Sequence, residues 1–426
     1  MTQAPYPDDQ SMTTGYLTVI IAPLGPVLIW LFGIGNHKEI THWLMAWYLV
    51  LGVSLVLIDF QTRKNILLAF YTPSPRSWRQ TITAGIWRWL AWCFLIVSAI
   101  KLYAMLPTYQ DGWYYYYKEF LQGWILPGWV ILGLPYTVLT LRRRSGLRWD
   151  RKDPAVLLLL LGRGFPWGRW QTIIRHCFLP RSTRIVWMGL IVKFFFMPIM
   201  FKFFLDNGYH VVKDFEDIVA QLQGDPDFSP GWQGTTETLY YLFFTLMVFI
   251  DVCLASLGYL ITMRWLDAGM RSVDLSLLGW ASCLACYMPF NKLIAWQMGL
   301  PTTDVTFISN VPLRIAAMTG VMICMAIYLW STLAFGLRFS NLTRRGLFTQ
   351  GPYAYVRHPA YIAKNISWWI EASPNLLDPR ALLCLLGWNG IYYLRAITEE
   401  KHLSRDPRYA TYASKVRQRF FPFWPR

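Results

Sequence analysis

Long apolar runs, separated by short charged segments, recur along this chain. A run of roughly 18–25 apolar residues is the length that crosses a bilayer as an α-helix. We therefore predict an all-α fold, a polytopic transmembrane helix bundle with about nine or ten membrane segments that ends in a helical hairpin. The predicted segments are 16–35, 40–59, 84–106, 120–141, 185–204, 240–263, 275–294 and 312–335, followed by a hairpin of 362–372 and 381–397. The apolar run 155–161 is too short to span.

Basic residues follow every second predicted segment, namely the second, fourth, sixth and eighth. The positive-inside rule makes that side cytosolic, and the acidic loop 206–237 then lies on the opposite side. The first fifteen residues contain Asp8 and Asp9 and no Lys or Arg, so we expect a retained first span rather than a cleaved signal peptide. The sequence thus predicts a multi-pass integral membrane protein, of a bacterial inner membrane, whose polar motifs face the cytosol.

The composition agrees with a membrane protein and argues against nucleic-acid binding. Hydrophobic residues make up 55% of the chain and charged residues 15%, which is below the roughly 25% of soluble proteins. The formal charge is +16, but the basic residues cluster beside apolar segments, where orientation and anionic lipid headgroups account for them. We predict two domains, an N-terminal bundle of 1–270 that forms an acceptor pocket or a scaffold, and a C-terminal domain of 271–426 that carries the chemistry.

The first chemical motif lies at 351–361, GPYAYVRHPAY. Pro359 disfavours helical geometry at His358 and suits the first turn of a following helix. Arg357 and His358 therefore lie at a helix N-terminus, where backbone N–H groups and the helix dipole favour an anion. The sequence predicts a seat for a carboxylate or a phosphate here. A basic turn that binds lipid headgroups is the alternative.

The second motif lies about forty residues later, at the end of the last predicted segment. Arg395 and Glu399 are spaced i, i+4 and share a helix face, whereas Glu400 points about 100° away. One carboxylate can pair with Arg395, and the other is then available for ribose hydroxyls, an ammonium group or a substrate proton. The alternative is a salt bridge at a helix end beside a solvated neighbour.

Together the motifs resemble the isoprenylcysteine carboxyl methyltransferase family, and phospholipid N-methyltransferases share part of the pattern. The residues that carry the resemblance are GPY at 351–353, YVRHPAY at 355–361, R-x-x-x-E-E at 395–400, DPRYxxY at 406–412 and Pro422. The likeness covers roughly the last 90–150 residues. It implies a membrane methyltransferase that uses S-adenosylmethionine from the cytosol and a lipid-like or isoprenoid acceptor from the bilayer, with O- or N-methylation both open.

The resemblance also implies roles for individual residues. The cofactor site would comprise Tyr353, Tyr355, Arg357, His358, Pro359, Tyr361 and Glu399, and the catalytic residues would be Arg395, Glu399 and Glu400. His358 and the helix start would hold the methionine carboxylate, and Arg395 would orient Glu399 or reach an acidic acceptor group. Ala363 and Lys364 stand where the family commonly has a small Gly, and the long N-terminal part is extra, so the prenylcysteine substrate is not carried over.

Other polar residues leave further hypotheses. Asp251 lies in an apolar segment and is a site candidate or, with Lys193 or Lys202, an ion pair that holds the bundle. Glu371 is an acceptor-site base or a buried partner of Lys364. No metal site is predicted, and the single Cys283-x-x-Cys286 favours packing. Two rival functions stay open, an NADPH-dependent reductase of the sterol type, which would use Arg338, Arg344 and Arg345, and a non-enzymatic lipid-binding or transport scaffold.

Overall fold

A computed structural model describes residues 11–69, 76–110, 112–143, 153–164, 171, 180–224, 232–263, 266, 268–292 and 304–421. The chain forms two compact units. The first comprises Met1–Leu55, Phe203–Gly258 and Asp274–Arg426, and the second comprises Val56–Lys202 and Tyr259–Val273. The predicted two domains, 1–270 and 271–426, stay a prediction.

The described part of the chain is almost entirely helical, and seven of its helical stretches are long and apolar enough to cross a membrane. This confirms the predicted all-α polytopic class. The helices are α1 Ser11–Ile21, α2 Leu24–Leu31, α3 His37–Ala69, α4 Trp78–Met105, α5 Gly112–Phe120, α6 Leu126–Arg143, α7 Pro154–Gly164, α8 Arg181–Leu222, α9 Trp232–Leu260, α10 Leu277–Leu284, α11 Val311–Leu333, α12 Pro359–Glu371, α13 Pro379–Leu403 and α14 Pro407–Lys415. Two-residue strands occur at Ser272–Val273 (β1) and Thr343–Arg344 (β2).

Helices α9 and α11 of the first unit run parallel to each other. Near their starts, Tyr241 contacts Asp304, and further along Asp251 contacts Tyr328. At their ends, a Cβ added to Gly258 would lie 2.8 Å from the carbonyl oxygen of Phe339, so only glycine permits this close approach. Because the two helices run in the same direction, the chain between them must cross back along their length. The predicted segment 275–294 would provide that crossing.

The predicted segment 275–294 is nevertheless not one continuous spanning helix. Its helical part, α10, has eight residues and begins at Ser276, whose side chain accepts a hydrogen bond from the Gly279 N–H. Turns follow α10, and the Met288–Pro289 peptide bond is cis. Eight helical residues cover about 12 Å, well short of the roughly 30 Å apolar thickness of a bilayer. Residues 293–303 lie outside the described residues.

The predicted C-terminal hairpin is present as the helices α12 and α13, neither of which is among the seven long apolar stretches, and α12 packs along α11. Two of the three C-terminal helices begin with an Asp-Pro pair. Asp378 and Asp406 each accept a hydrogen bond from the backbone two residues ahead, and the proline takes the first helical position, where its missing N–H is not needed. α12 begins instead at His358-Pro359, with no side-chain cap, which leaves the His358 imidazole available for other partners.

In the second unit, buried charges are paired locally. Arg63 is fully buried, lies 3.3 Å from Asp59 and donates to the carbonyl oxygen of Leu266 at 2.7 Å. Lys193 donates to the carbonyl oxygen of Leu260 and to the Thr262 hydroxyl, each at 3.2 Å. Lys193 therefore stabilises the end of α9 within this unit.

Candidate functional site

The two sequence motifs meet where the start of α12 lies against the end of α13. The Tyr361 hydroxyl donates to Glu399 Oε2 at 2.7 Å. The His358 Nε2 atom lies 3.1 Å from Glu400 Oε1. The His358 and Tyr361 rings stack at 5.3 Å between centroids with an interplanar angle of 9°. The structure thus brings together the histidine, the tyrosine and both carboxylates that the sequence singled out.

Glu400 is the anionic centre of a buried charge cluster. Arg419 donates to both of its oxygens, at 3.0 Å and 2.8 Å, and Arg357 Nε lies 3.3 Å from Oε1. Burial raises the pKa of the Glu400 carboxyl, but the hydrogen bonds from His358 and Arg419 and the positive charges of His358 and Arg357 outweigh it and lower this pKa to about 2. Glu400 is therefore an ionised, fully engaged carboxylate.

The C-terminal segment around Gln418 and Arg419 is hydrogen-bonded to the residues that precede α12. The backbone N–H groups of Arg357 and His358 donate to the carbonyl oxygens of Gln418 and Arg419, at 3.1 Å and 3.0 Å. These two N–H groups, which precede the first residue of α12, are therefore used by the chain itself, and the predicted anion seat at the helix start stays a prediction. The Arg357 guanidinium and the His358 imidazole likewise face Glu400. The basic turn already holds an anion, and that anion is Glu400.

Arg395 lies beside this cluster within a set of aromatic rings. Its Nη2 donates to Asn341 Oδ1 at 2.5 Å, and Asn341 Nδ2 in turn donates to the Tyr287 hydroxyl at 3.0 Å. The guanidinium carbon lies 5.8, 5.3 and 5.9 Å from the ring centroids of Tyr287, Tyr361 and Tyr392. A guanidinium over aromatic faces gains cation–π attraction, so Arg395 is held in place by its surroundings.

The predicted Arg395–Glu399 pair is not formed in the described part of the chain, where Arg395 bonds to Asn341 instead. Glu399 is positioned by Tyr361, and His358 Nδ1 lies 4.0 Å from its Oε2. Its side chain is 42% exposed, against 11% for Glu400. Of the two adjacent carboxylates, Glu399 is thus the one that can meet a ligand, and Glu400 the one that holds the site together. The catalytic role predicted for Glu400 stays a prediction.

The remaining predicted residues are placed around this core. Pro359 starts α12 and is buried. Tyr353 is buried against Phe335, and its carbonyl oxygen accepts a hydrogen bond from the Tyr412 hydroxyl at 2.8 Å, so it supports the turn. The Tyr355 side chain is 66% exposed. Pro422 lies outside the described residues.

Three members of the site were not anticipated. Arg419, Asn341 and Tyr287 lie far in sequence from the residues they contact, and none belongs to a motif. The one available signal was the basic C-terminal stretch that contains Arg417 and Arg419. Within the described ranges, no group of three or more His, Cys, Asp or Glu side chains is placed to hold a metal ion.

Comparison with protein-family models, with curated proteins and with solved structures found no match to this chain.

Proposed function

We propose that this chain is an S-adenosylmethionine-dependent integral membrane methyltransferase. It acts on a lipid-like or isoprenoid acceptor at the cytosolic membrane face. The observation that carries the proposal is the convergence of the two motifs, with His358 on Glu400 and Tyr361 on Glu399, directly beside Arg395. Ionisable groups gathered at this density around a buried carboxylate are typical of functional sites.

The residues present fit the charges of this cofactor, which carries a carboxylate, an ammonium and a sulfonium group. Glu399 is exposed on one side and fixed by Tyr361 on the other, so it suits the ammonium or the ribose hydroxyls. The Arg395 guanidinium suits a carboxylate, on the cofactor or on the acceptor. Methyl transfer from a sulfonium is an in-line displacement, and the chain's main contribution is to orient the two reactants and exclude water.

The placement of Glu400 supports a positioning role. Its carboxylate lies 3.3 Å from Arg357, 3.1 Å from His358 and 2.8 Å from Arg419, and these contacts hold the start of α12 against the end of α13. Tyr361 lies about one helical turn after His358 at the start of α12, and Glu399 is the residue before Glu400 on α13. The orientation of the Tyr361–Glu399 pair therefore depends on the Glu400 cluster.

The three arginines that a reductase would use to bind its dinucleotide have other partners or are buried, which argues against the reductase alternative. Arg344 pairs with Asp406, and Arg345 donates to the backbone carbonyl oxygens of Gly258 and Phe339. Arg338 is 2% exposed. All three are thus held within the protein rather than presented to the phosphates of a nicotinamide dinucleotide.

The test is isothermal titration of the detergent-purified protein with S-adenosylhomocysteine, with the reduced nicotinamide dinucleotide phosphate as comparison. We expect saturable binding of the first and none of the second. Glu399→Gln is expected to weaken S-adenosylhomocysteine binding by about tenfold or more, the cost of one charge-assisted hydrogen bond. Its thermal midpoint should stay near that of the wild type. Asp217→Asn is the matched control, because Asp217 is an exposed carboxylate.

Two results would overturn the proposal. If the wild-type protein binds no S-adenosylhomocysteine, this chain is not such a methyltransferase. If it binds only the dinucleotide, the reductase interpretation replaces it.

A further inference from the structure

Asp251 is a buried carboxylate on α9 with an unfilled hydrogen-bonding position. Asp251 is 7% exposed, and its Oδ2 accepts a hydrogen bond from the Tyr328 hydroxyl at 3.3 Å. Thr332 also lies beside this carboxyl. Its Oδ1 is buried and has no hydrogen-bond partner among the residues that the structure describes. An unsatisfied buried acceptor on a membrane-type helix is costly, and such a residue is a site candidate.

The positive charge of Lys364, on α12, acts on this carboxylate. Its ammonium lies over three rings, 5.7 Å from Tyr328, 5.4 Å from Trp368 and 6.0 Å from Tyr392, measured to the ring centroids. We call these three rings the aromatic cage. Within the described chain, no carboxylate lies within 4.0 Å of the Lys364 ammonium, so the predicted Glu371–Lys364 ion pair is not formed, although the charge of Lys364 acts on both Asp251 and Glu371.

The aromatic cage connects Asp251 to the candidate active site. The Tyr392 ring lies near both cations, with its centroid 6.0 Å from the Lys364 ammonium and 5.9 Å from the Arg395 guanidinium carbon, and it contacts the Tyr361 ring edge-on at 5.4 Å. Tyr328 completes the path, because it faces Lys364 and donates to Asp251. Asp251 thus belongs to a helical stretch, Gly234–Leu260, that is long and apolar enough to cross a membrane, and it is linked to the candidate site through Tyr328, Lys364 and Tyr392.

The charge of Asp251 discriminates between kinds of acceptor. A carboxylate or phosphate acceptor is already deprotonated and needs no base, and a second carboxylate would repel it in a region of low dielectric constant. A hydroxyl or a neutral amine carries a proton that must leave during methylation. Such a group can donate to the unfilled Oδ1 of Asp251 before the reaction and transfer its proton there.

We propose that Asp251 is the proton acceptor for a protic acceptor group, an O–H or N–H on a lipid-like molecule; this rests on the proposed methyltransferase function. In the step, the carbon–sulfur bond of the sulfonium breaks and its electron pair stays on sulfur, which becomes a neutral thioether. A bond forms between the methyl carbon and the acceptor oxygen or nitrogen, and the proton of that group moves to Asp251. Lys364 supplies the positive charge that balances the carboxylate before transfer.

The experiment uses membranes in which the full chain is produced, incubated with S-adenosylmethionine labelled in its methyl group, followed by organic extraction and mild alkaline hydrolysis. A methyl ester releases volatile methanol under alkali, whereas an N-methyl group or an O-methyl ether is stable. We expect base-stable label in the extract. Asp251→Asn should lower transfer by about a hundredfold or more, the typical contribution of a general base, while S-adenosylhomocysteine binding is unchanged. Asp217→Asn should transfer normally.

The outcomes separate this inference from the function on which it rests. Volatile methanol as the labelled product would overturn the role of Asp251 and leave the methyltransferase proposal standing. Transfer by Asp251→Asn within about twofold of wild type would do the same. Absence of S-adenosylhomocysteine binding by the wild type would overturn both. Unchanged binding in Asp251→Asn also shows that the variant is folded, and Asp251→Glu, which keeps the base, should recover part of the activity.

Discussion

Two buried carboxylates in the first unit, Glu400 and Asp251, have opposite surroundings. Glu400 accepts two hydrogen bonds from Arg419 and one from His358, and Arg357 lies within 3.3 Å. Asp251 accepts a hydrogen bond from Tyr328 at 3.3 Å, Thr332 lies beside its carboxyl, and its Oδ1 has no partner in the described part of the chain. A satisfied carboxylate stabilises the fold, whereas an unsatisfied one costs stability and is available for chemistry. The difference separates the residue that builds the site from the residue that we propose reacts there.

The largest expected effect is that of Glu400→Ala. Removing the carboxylate leaves the Arg357 and Arg419 guanidinium groups and the His358 ring without their shared anionic partner, and breaking a buried ion pair costs about 3–5 kcal/mol. We expect a clear fall in the thermal midpoint of the detergent-purified protein. Asp251→Asn, in contrast, should change the free energy of unfolding by about 1 kcal/mol or less, since it removes a charge that has no ion-pair partner within 4.0 Å among the described residues. Equal destabilisation by the two substitutions would contradict the comparison.

Acid should act through the same carboxylate. The pKa of Glu400 is about 2 in the folded protein, against 4.5 for an unperturbed glutamate. A lowered folded-state pKa means that the contribution of Glu400 to stability is complete above about pH 4.5 and is lost as the pH falls towards 2. The thermal midpoint of the wild type should therefore fall below pH 4.5 more steeply than that of Glu400→Gln. Parallel curves for the two proteins would show that Glu400 is not held by its cations.

The helices were predictable because each is encoded locally. An apolar run of spanning length predicts a membrane helix whatever surrounds it, and the segments that became α3, α4, α8, α9 and α11 are of this kind. The prediction of 275–294 as one continuous spanning helix was wrong, because the apolar composition does not reveal that the helix ends at Leu284. The turn after Leu284 and the cis Met288–Pro289 bond depend on tertiary packing, which hydropathy does not report.

The candidate site was predictable in its motifs and not in its connections. His358 and Glu400 were singled out by residue type, and the hairpin between them made their meeting an expectation. The contact between Arg419 and Glu400 could not be predicted from the sequence. The C-terminal segment packs at the start of α12 through backbone hydrogen bonds, and these have no sequence pattern. Arg395 bonds to Asn341 rather than to its i+4 neighbour Glu399, since a buried amide and three rings outcompete a half-exposed carboxylate.

An intermediate effect is expected for Tyr361→Phe. This substitution removes the hydrogen bond to Glu399 and keeps the ring that stacks on His358 and faces Arg395. We expect a loss of stability of about 1 kcal/mol, and S-adenosylhomocysteine binding weakened by about five- to tenfold, because Glu399 loses its orienting partner. Titration calorimetry with a parallel thermal midpoint measures both. Tyr115→Phe is the matched control, because it removes a similar tyrosine–glutamate hydrogen bond, to Glu119 at 2.9 Å, in the second unit.

The smallest expected effect on stability is that of Lys364→Met. Methionine keeps most of the length and the apolar stem of lysine, and within the described residues no ion pair is lost. The lost cation–π attraction to the aromatic cage and the relieved cost of burying an ammonium oppose each other, so the free energy of unfolding should change by about 1 kcal/mol or less. Methyl transfer should nevertheless fall, because Asp251 loses the charge that balances it. A large drop in the thermal midpoint with normal transfer would make Lys364 a structural residue like Glu400, and the contrast between the two buried regions would no longer hold.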